Sequence, residues 1–206
     1  IAYLSCLPNV VIMAPSNENE LALMLFTASE YDSGPIFCRY PRGEGVGIKI
    51  QDKLISLEIG KGKIIKKGKQ IAILSLGSRL NDIMEASELL KNDGFEITIA
   101  DARFAKPIDK NLIKSLFLNH EALFFVEEGS LGGFSSQCLN YLSSENLLGQ
   151  KSTLVRCLTL PDRFQDHGSQ EDQLVEAKLD RDGIFSEIKN VISKLKISPQ
   201  LTNKTG

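Results

Sequence analysis

Short apolar runs alternate with stretches of helical periodicity at the start of the chain. The segment NVVIMAPS, residues 9–16, is rich in β-branched residues and ends in Pro15 and Ser16, which is typical of a buried strand. Apolar residues then recur every three or four positions, so residues 17–31 are predicted as an amphipathic helix with Ser16 as its N-cap. The run IFCRY follows as a second strand, and this β-α-β order favours a parallel sheet.

The pattern changes between residues 41 and 69, which carry six glycines and seven lysines but few apolar residues at helical spacing. This composition predicts an extended linker that ends in an edge strand or hairpin near residues 62–68. The lysines are interpreted as a solvated face, because charged side chains commonly protect an exposed sheet edge.

A second alternation of strands and helices begins at residue 69. It predicts a doubly wound, mainly parallel α/β sheet, preceded by the end of another α/β domain. The predicted organisation is residues 1–48 for the end of the first domain, 49–68 for the linker and edge strand, 69–196 for the second domain, and 197–206 for a tail. The predicted elements after the linker are strands in 70–78, 96–103, 121–129 and 152–161, and helices in 79–92, 106–119, 132–145, 169–178 and 181–196.

Composition and charge narrow the functional classes. The 206 residues have a net charge of −2, and no apolar run approaches the roughly 18 residues of a membrane-spanning helix. We therefore expect neither a nucleic acid nor a membrane as partner. The four cysteines are scattered, which favours buried thiols in a reducing compartment over disulfides or a zinc site. The N-terminus lacks the features of a signal peptide, and we expect the chain to begin inside a longer protein.

Two arginines follow the second predicted strand in the segment GPIFCRYPRGEGVG. Arg39 and Arg42 lie where a parallel strand ends, which is where ligands bind in open α/β sheets. A guanidinium group offers a rigid fork of donors that suits phosphate or carboxylate. Pro41 fixes one backbone torsion between the arginines and Gly43 permits a turn after them, so the two groups should be held in restricted directions. A structural ion pair across a domain boundary is the alternative, and the spacing alone leaves both open.

Two adjacent carboxylates end another predicted strand, in FFVEEGSLGGFSS. Glu127 and Glu128 could perform acid–base chemistry or hold a metal, and the glycines that follow could open an anion site at a helix N-terminus. The segment has neither a dinucleotide-binding nor a phosphate-loop spacing. We favour a structural interpretation, in which this is a tight strand-to-helix turn with one glutamate in an ion pair.

The remaining polar candidates carry weaker signals. His120 precedes a strand and His167 lies near Asp162 and Asp166, but no nucleophile motif is nearby, so structural roles are favoured for both histidines. At another strand end, the segment DARFAKP places Asp101, Arg103 and Lys106 together. We expect these charges to pair with one another or with the preceding domain.

Six segments in one order resemble a known family: YLSCLPNVVIMAPSNENEL, GPIFCRYPRGEG, GKGKIIKKGKQIAILSLGS, ADARFAKPID, HEALFFVEEGSLGGFSS and LPDRFQDHGSQ. From residue 1 to about 195 the chain is similar to the C-terminal part of the 1-deoxy-D-xylulose-5-phosphate synthases, which belong to the transketolase superfamily. RYPRG and LPDRF are the motifs most specific to the synthases.

The resemblance implies a homodimeric transferase that uses thiamine diphosphate and Mg²⁺. Such enzymes decarboxylate pyruvate and add the two-carbon unit to D-glyceraldehyde 3-phosphate, for isoprenoid, thiamine and pyridoxal biosynthesis. Arg39 matches the family arginine that contacts the acceptor phosphate, and Arg42 matches a phosphate-contacting arginine of transketolases. The family's catalytic His, Asp and Glu and its cofactor and metal sites lie upstream of residue 1, so no catalytic, cofactor or metal residue is predicted here.

These implications give three hypotheses. The first is the C-terminal part of a synthase, inactive on its own, from a bacterial cytoplasm or a plastid stroma. The second is another transketolase-family protein, such as the β subunit of a 2-oxo acid dehydrogenase or a split transketolase. The third is a non-enzymatic module for dimerisation or regulation.

Overall fold

The computed structural model describes residues 1–199, which form two sheets and seven α-helices. The strands are β1 Val11–Met13, β2 Ile36–Cys38, β3 Lys63–Lys66, β4 Ile71–Leu76, β5 Thr98–Asp101, β6 Phe104–Lys106, β7 Ala122–Glu127 and β8 Leu154–Leu158. The helices are α1 Ala2–Ser5, α2 Glu18–Ser29, α3 Leu80–Asn92, α4 Lys110–Asn119, α5 Phe134–Ser144, α6 Gln170–Ala177 and α7 Arg181–Leu195, with a 3₁₀ turn at Leu147–Gly149.

The larger sheet has five strands in the order β3-β5-β4-β7-β8. β5, β4, β7 and β8 are parallel, and β3 pairs antiparallel with β5 at the edge, where the linker was expected to end in an edge strand. β4 and β7 are buried along their whole length, as near-continuous apolar strands covered on both faces should be. The predicted mainly parallel α/β fold is confirmed.

Helices cover both faces of this sheet. On one face, residues of β4 and β7 pack with Ile83 of α3 and Ile188 of α7. On the other face, the alternate residues of the same strands pack with Ile113 of α4 and Leu142 of α5. This two-sided packing follows from the alternation of side chains along each strand, and it makes the fold doubly wound.

The smaller sheet has the order β2-β1-β6 and joins distant parts of the sequence. β1 and β2 are parallel, with Ile12 opposite Phe37, as the β-α-β pattern predicts. β6 pairs antiparallel with the other edge of β1. The strand predicted over residues 96–103 ends before β6, and Arg103 turns the chain between β5 and β6 in a left-handed conformation (φ +58°). β1 is therefore paired on both edges.

Three details differ from the sequence-based expectations. Asn17, and not Ser16, caps α2 by accepting a hydrogen bond from the Glu20 N–H at 3.0 Å. β2 ends at Cys38, two residues before the end of the predicted strand. Cys6 is exposed, whereas Cys138 is buried as expected, and all four cysteines, which lie within residues 1–199, are free thiols.

The ends of the predicted domains are only partly visible in the fold. Residues 39–62 contain no regular helix or strand, and β3 follows them. Ile197, the first residue of the predicted tail, is 7% exposed and packs with the core beside α7. Residues 200–206 of that tail lie outside the described residues, and the domain boundaries stay predictions. No helix within residues 1–199 is long and apolar enough to cross a membrane.

Candidate functional site

The candidate site lies where the carboxyl ends of three strands, β2, β4 and β7, come together. The chain leaves β4 through α3 on one face of the large sheet and leaves β7 through α5 on the other, so the boundary between β4 and β7 is a switch point of the doubly wound fold. Ligands of such folds bind in the crevice at this point. Here it carries Ser78 and Arg79 after β4 and Glu128 after β7, and Arg39 reaches it from the end of β2.

Arg39 is fixed at both its backbone and its side chain. Its N–H donates to the carbonyl of Met13 at 2.8 Å, which continues the pairing of β2 with β1. Its Nη2 donates to Glu128 Oε1 at 3.0 Å, so the ion pair across the predicted domain boundary exists. The Arg39 side chain is one-third exposed (33%), and the described part of the chain gives its other guanidinium nitrogens no hydrogen-bond partner. Its role in phosphate binding stays a prediction.

Glu128 is held by a second set of groups on its other oxygen. Ser78 Oγ donates to Glu128 Oε2 at 3.2 Å, and Arg79 Nε lies 3.4 Å from the same oxygen. Arg79 Nη1 pairs in turn with Asp82 Oδ2 at 3.1 Å. Burial raises the pKa of the Asp82 carboxyl, and the charge of Arg79 acts in the opposite direction. Arg39, Glu128, Arg79 and Asp82 thus form one chain of alternating charges, which we call the switch-point ion network.

Arg42 has different surroundings from Arg39. It is exposed and lines a cavity of about 360 Å³ together with Arg79, whereas Arg39 is not part of the cavity wall. Three helices begin at this cavity, since residues 17–18, 78–79, 81–82 and 170–171 line it. The loop that carries Arg42 turns at Gly43 (φ +137°), as the sequence suggested, and the Gly47 N–H donates to Glu18 at 2.6 Å. Backbone hydrogen bonds from Glu18 itself and then from Gly47 lower the pKa of the Glu18 carboxyl.

Glu127 has a structural role. It is 1% exposed, and its carboxylate accepts hydrogen bonds from the N–H groups of Phe134 (3.0 Å) and Ser135 (2.8 Å) and from Ser135 Oγ (2.8 Å). These N–H groups open α5, so Glu127 satisfies donors that the helix leaves unpaired. A Cβ on Gly133 would lie 2.5 Å from Glu127 Oε2, which explains the glycine there. The strand-to-helix turn and the ion pair of one glutamate, which the structural interpretation expects, are both present.

The two histidines are placed differently. His120 is buried, with Nδ1 2.8 Å from the Leu116 carbonyl and Nε2 2.8 Å from Thr98 Oγ1, and burial lowers its pKa. Both ring nitrogens are engaged, so the structural role predicted for His120 is confirmed. His167, Asp162 and Asp166 are exposed in the loop between β8 and α6.

The charged residues after β5 pair with the preceding part of the chain, as one of the two alternatives predicted. Arg103 Nη2 lies 2.6 Å from Glu20 Oε1, and Lys106 Nζ donates to the Ser5 carbonyl at 2.9 Å. Asp101 accepts from Ser16 Oγ at 2.6 Å and from the Arg103 N–H at 2.9 Å. Burial raises the pKa of Asp101 to about 6, although both hydrogen bonds oppose the shift.

Sequence reasoning missed Ser78, Arg79 and Asp82 as members of the site. Their one signal is position, because they directly follow the central strand β4 and begin a helix. Their partner Glu128 is 50 residues away from Ser78 and 89 from Arg39, and no local pattern specifies pairs so distant in sequence.

The residues present do not fit a magnesium–diphosphate site. Within residues 1–199 no group of three His, Cys, Asp or Glu side chains is arranged to hold a metal ion. The two adjacent carboxylates that the sequence offered, Glu127 and Glu128, are occupied by the start of α5 and by the arginines. A phosphate group at this edge would therefore meet the guanidinium groups of Arg39 and Arg79.

Comparison with known proteins agrees with this architecture. One solved structure, described as a split gene transketolase in an inactive beta4 tetramer, superposes with a TM-score of 0.78 at 23% sequence identity. The match covers 93% of this chain but only 61% of that one, so this chain spans less than two thirds of its length. The family model of the transketolase C-terminal domain matches residues 60–184, which is more than half of the chain. The chain therefore belongs to the transketolase C-terminal domain family.

Proposed function

We propose that this chain is the C-terminal part of a 1-deoxy-D-xylulose-5-phosphate synthase. Such an enzyme condenses pyruvate, with loss of CO₂, and D-glyceraldehyde 3-phosphate. The observation that carries the proposal is the placement of Arg39 at the switch point, fixed by Met13 and Glu128 and with donors left for an anion. The motif RYPRG, which contains Arg39 and Arg42, and the motif LPDRF support the synthase over its relatives.

In this proposal Arg39 binds the phosphate of the acceptor aldehyde. A phosphate oxygen and a guanidinium N–H form a charge-assisted hydrogen bond, which orients the substrate as well as holding it. Arg42 is the second candidate, because it lies on the same loop and faces the neighbouring cavity. Tyr40 is largely exposed beside them, and we assign it no chemical role.

The cofactor chemistry is proposed to come from outside the described residues. Enzymes of the transketolase family use thiamine diphosphate and a divalent metal, and the described side chains do not fit that group. We expect this polypeptide alone to be inactive and the working enzyme to be a homodimer of the bacterial cytoplasm or plastid stroma. Calorimetric titration that found tight, stoichiometric binding of thiamine diphosphate to this chain would contradict the expectation.

Two other functions fit the same fold. The chain could be a component of a different transketolase-family enzyme, and the solved relative described as a split gene transketolase favours that alternative. A β-subunit role in a 2-oxo acid dehydrogenase would acetylate a lipoyl domain and form no xylulose phosphate. A non-enzymatic dimerisation module would lack both activities, and light scattering of residues 69–196 would test whether that part folds and self-associates.

The proposal is tested by Arg39→Ala in the holoenzyme that contains this chain. Removing a charge-assisted phosphate contact should cost about 1.5–3 kcal/mol, which corresponds to a rise of roughly ten- to hundred-fold in KM for D-glyceraldehyde 3-phosphate. KM for pyruvate should change little. Arg181→Ala is the matched control, because Arg181 pairs with its exposed neighbour Asp182. Unchanged acceptor kinetics for Arg39→Ala would refute the role.

A further inference from the structure

We propose that Glu128 is a positioning residue for the acceptor phosphate: it fixes the direction of Arg39, and Arg79 offsets its charge. This inference rests on the proposed function of Arg39. It adds Ser78, Arg79 and Glu128 to the phosphate-recognition machinery, although none of them is expected to touch the substrate.

The two oxygens of Glu128 contact different partners. Oε1 faces Arg39 Nη2 at 3.0 Å, while Oε2 faces Ser78 Oγ at 3.2 Å and Arg79 Nε at 3.4 Å. Residues of the β4–α3 turn therefore hold the Glu128 carboxylate in place, and the carboxylate in turn holds the guanidinium of Arg39, which follows β2. A guanidinium held at one nitrogen has fewer orientations, so its remaining donors point in a restricted range of directions.

Burial makes this arrangement more rigid than a surface ion pair. The side chains of Glu128 and Arg79 are 13% and 10% exposed, so their interactions are weakly screened by solvent. Isolated exposed ion pairs contribute little, but a carboxylate shared between the buried Arg79, the partly exposed Arg39 and a hydroxyl has few alternative conformations. Arg39 itself is 33% exposed, which leaves its free donors accessible to an anion.

Charge balance explains why Glu128 does not cancel the attraction of Arg39 for phosphate. One carboxylate between two guanidinium groups leaves a net charge of +1 on the trio. Asp82 pairs with Nη1 of Arg79 and balances the charge of that guanidinium, and Arg39 is the more exposed of the two arginines (33% against 10%). The positive charge that faces the solvent is therefore that of Arg39, and its direction is set by Glu128.

The alternative role for Glu128 is competition with the phosphate for Arg39, and it predicts the opposite effect on acceptor binding. If Glu128 competed with phosphate for Arg39, removal of its charge would strengthen acceptor binding. If it fixed Arg39, removal of its charge would weaken binding of phosphorylated acceptors and leave unphosphorylated ones unaffected. The direction of one kinetic change therefore separates the two roles.

The experiment is Glu128→Gln in the holoenzyme, with KM measured for D-glyceraldehyde 3-phosphate, D-glyceraldehyde and pyruvate. We expect KM for the phosphorylated aldehyde to rise about three- to ten-fold, a smaller effect than loss of the direct contact at Arg39. KM for D-glyceraldehyde and for pyruvate should stay within about two-fold of the unaltered enzyme. An unchanged or lowered KM for the phosphorylated aldehyde, or an equal rise for both aldehydes, would overturn the inference.

Two controls complete the design. Glu176→Gln makes the same change in the exposed pair with Arg163 and should alter none of the three KM values. Ser78→Ala removes one hydrogen bond to Glu128 without burying a new polar group, and it should raise KM for the phosphorylated aldehyde about two- to five-fold. If thermal unfolding shows that Glu128→Gln does not fold, Ser78→Ala decides the question, and no effect would contradict the proposal.

The Arg39→Ala variant separates this inference from the proposed function. If Arg39→Ala leaves the acceptor KM unchanged, the proposed function fails. If Arg39→Ala raises it while both Glu128→Gln and Ser78→Ala have no effect, the proposed function stands and the positioning role fails.

Discussion

At the scale of single residues, two buried carboxylates differ in their hydrogen-bond partners. Glu127 and Asp101 are each 1% exposed. Glu127 accepts three hydrogen bonds at the start of a helix, where the dipole favours a negative charge. Asp101 accepts two hydrogen bonds, from Ser16 and from the Arg103 N–H, and burial still raises its pKa to about 6.

The raised pKa of Asp101 predicts a pH-dependent stability. Its carboxyl has a reference pKa of 3.8, against about 6 in the fold, so between these values the folded state binds more protons than the unfolded state. Stability contributed by Asp101 is therefore full below about pH 4 and is lost as pH rises through 6. Relative to Asp101→Asn, the unaltered protein should lose up to about 3 kcal/mol of unfolding free energy between pH 4 and pH 7.

Urea unfolding of both proteins at several pH values measures this loss. The exposed Asp52→Asn change is the control, and it should leave the pH dependence as it is. A free-energy difference between the unaltered protein and Asp101→Asn that does not vary with pH would contradict a raised pKa at this site.

At the scale of elements, local chemistry explains why most helices and strands could be predicted. Asp109, Ser169 and Asp180 each accept a hydrogen bond from the third residue of the turn they cap, and such caps are visible in sequence. β4 and β7 are visible as continuous apolar runs. β6 was not predicted, because its pairing with β1 depends on a contact between residues about 90 positions apart.

The start of α5 gives the prediction that belongs to this scale. Glu127→Gln would place an amide N–H₂ against the donors of Phe134 and Ser135, so at least one buried donor would lose its partner. We expect a loss of about 1–3 kcal/mol in unfolding free energy, measured by chemical denaturation.

Glu145→Gln, at the C-terminal end of the same helix, is the matched control. Its negative charge lies at the unfavourable end of the helix dipole, so this change should be neutral or slightly stabilising. Equal effects of the two substitutions would contradict the capping role of Glu127.

At the scale of the whole molecule, the two sheets share one core. Ile12 of β1, in the smaller sheet, and its flanking residues Val10 and Ala14 pack in the same cluster as Leu74 and Leu76 of β4. The β1–β6 pairing and the bonds from Ser16 to Asp101 and from Arg103 to Glu20 bridge the same boundary. Residues 1–48 are therefore attached to the transketolase C-terminal domain by apolar packing, backbone pairing and buried charges together.

This attachment predicts cooperative unfolding. In native-state hydrogen exchange, the backbone N–H groups of Val11, Ile12 and Met13 should open with the same free energy as those of β4, because β1 cannot leave without exposing the shared core. The exposed loop around residues 43–50 serves as the control and should exchange by local opening. Exchange of the β1 N–H groups at a much lower free energy than those of β4 would show that the smaller sheet unfolds as a separate unit.

The site shows where prediction from sequence ends. RYPRG placed Arg39 and Arg42 at a strand end, and the structure agrees with that position. The sequence left open whether Arg39 forms an ion pair or binds an anion. The fold shows that one nitrogen forms the pair while others remain free, so the two interpretations are compatible. The roles of Ser78 and Arg79 could not be predicted, because they depend on which strands are neighbours in the sheet.

The central claim, synthase chemistry for the enzyme that contains this chain, is tested most directly by its product. The holoenzyme should be given pyruvate, D-glyceraldehyde 3-phosphate, thiamine diphosphate and Mg²⁺, and the products identified by mass spectrometry. The account predicts 1-deoxy-D-xylulose 5-phosphate and CO₂ in equal amounts. Transfer of a two-carbon ketol unit between sugar phosphates without CO₂, or acetylation of a lipoyl domain, would contradict it.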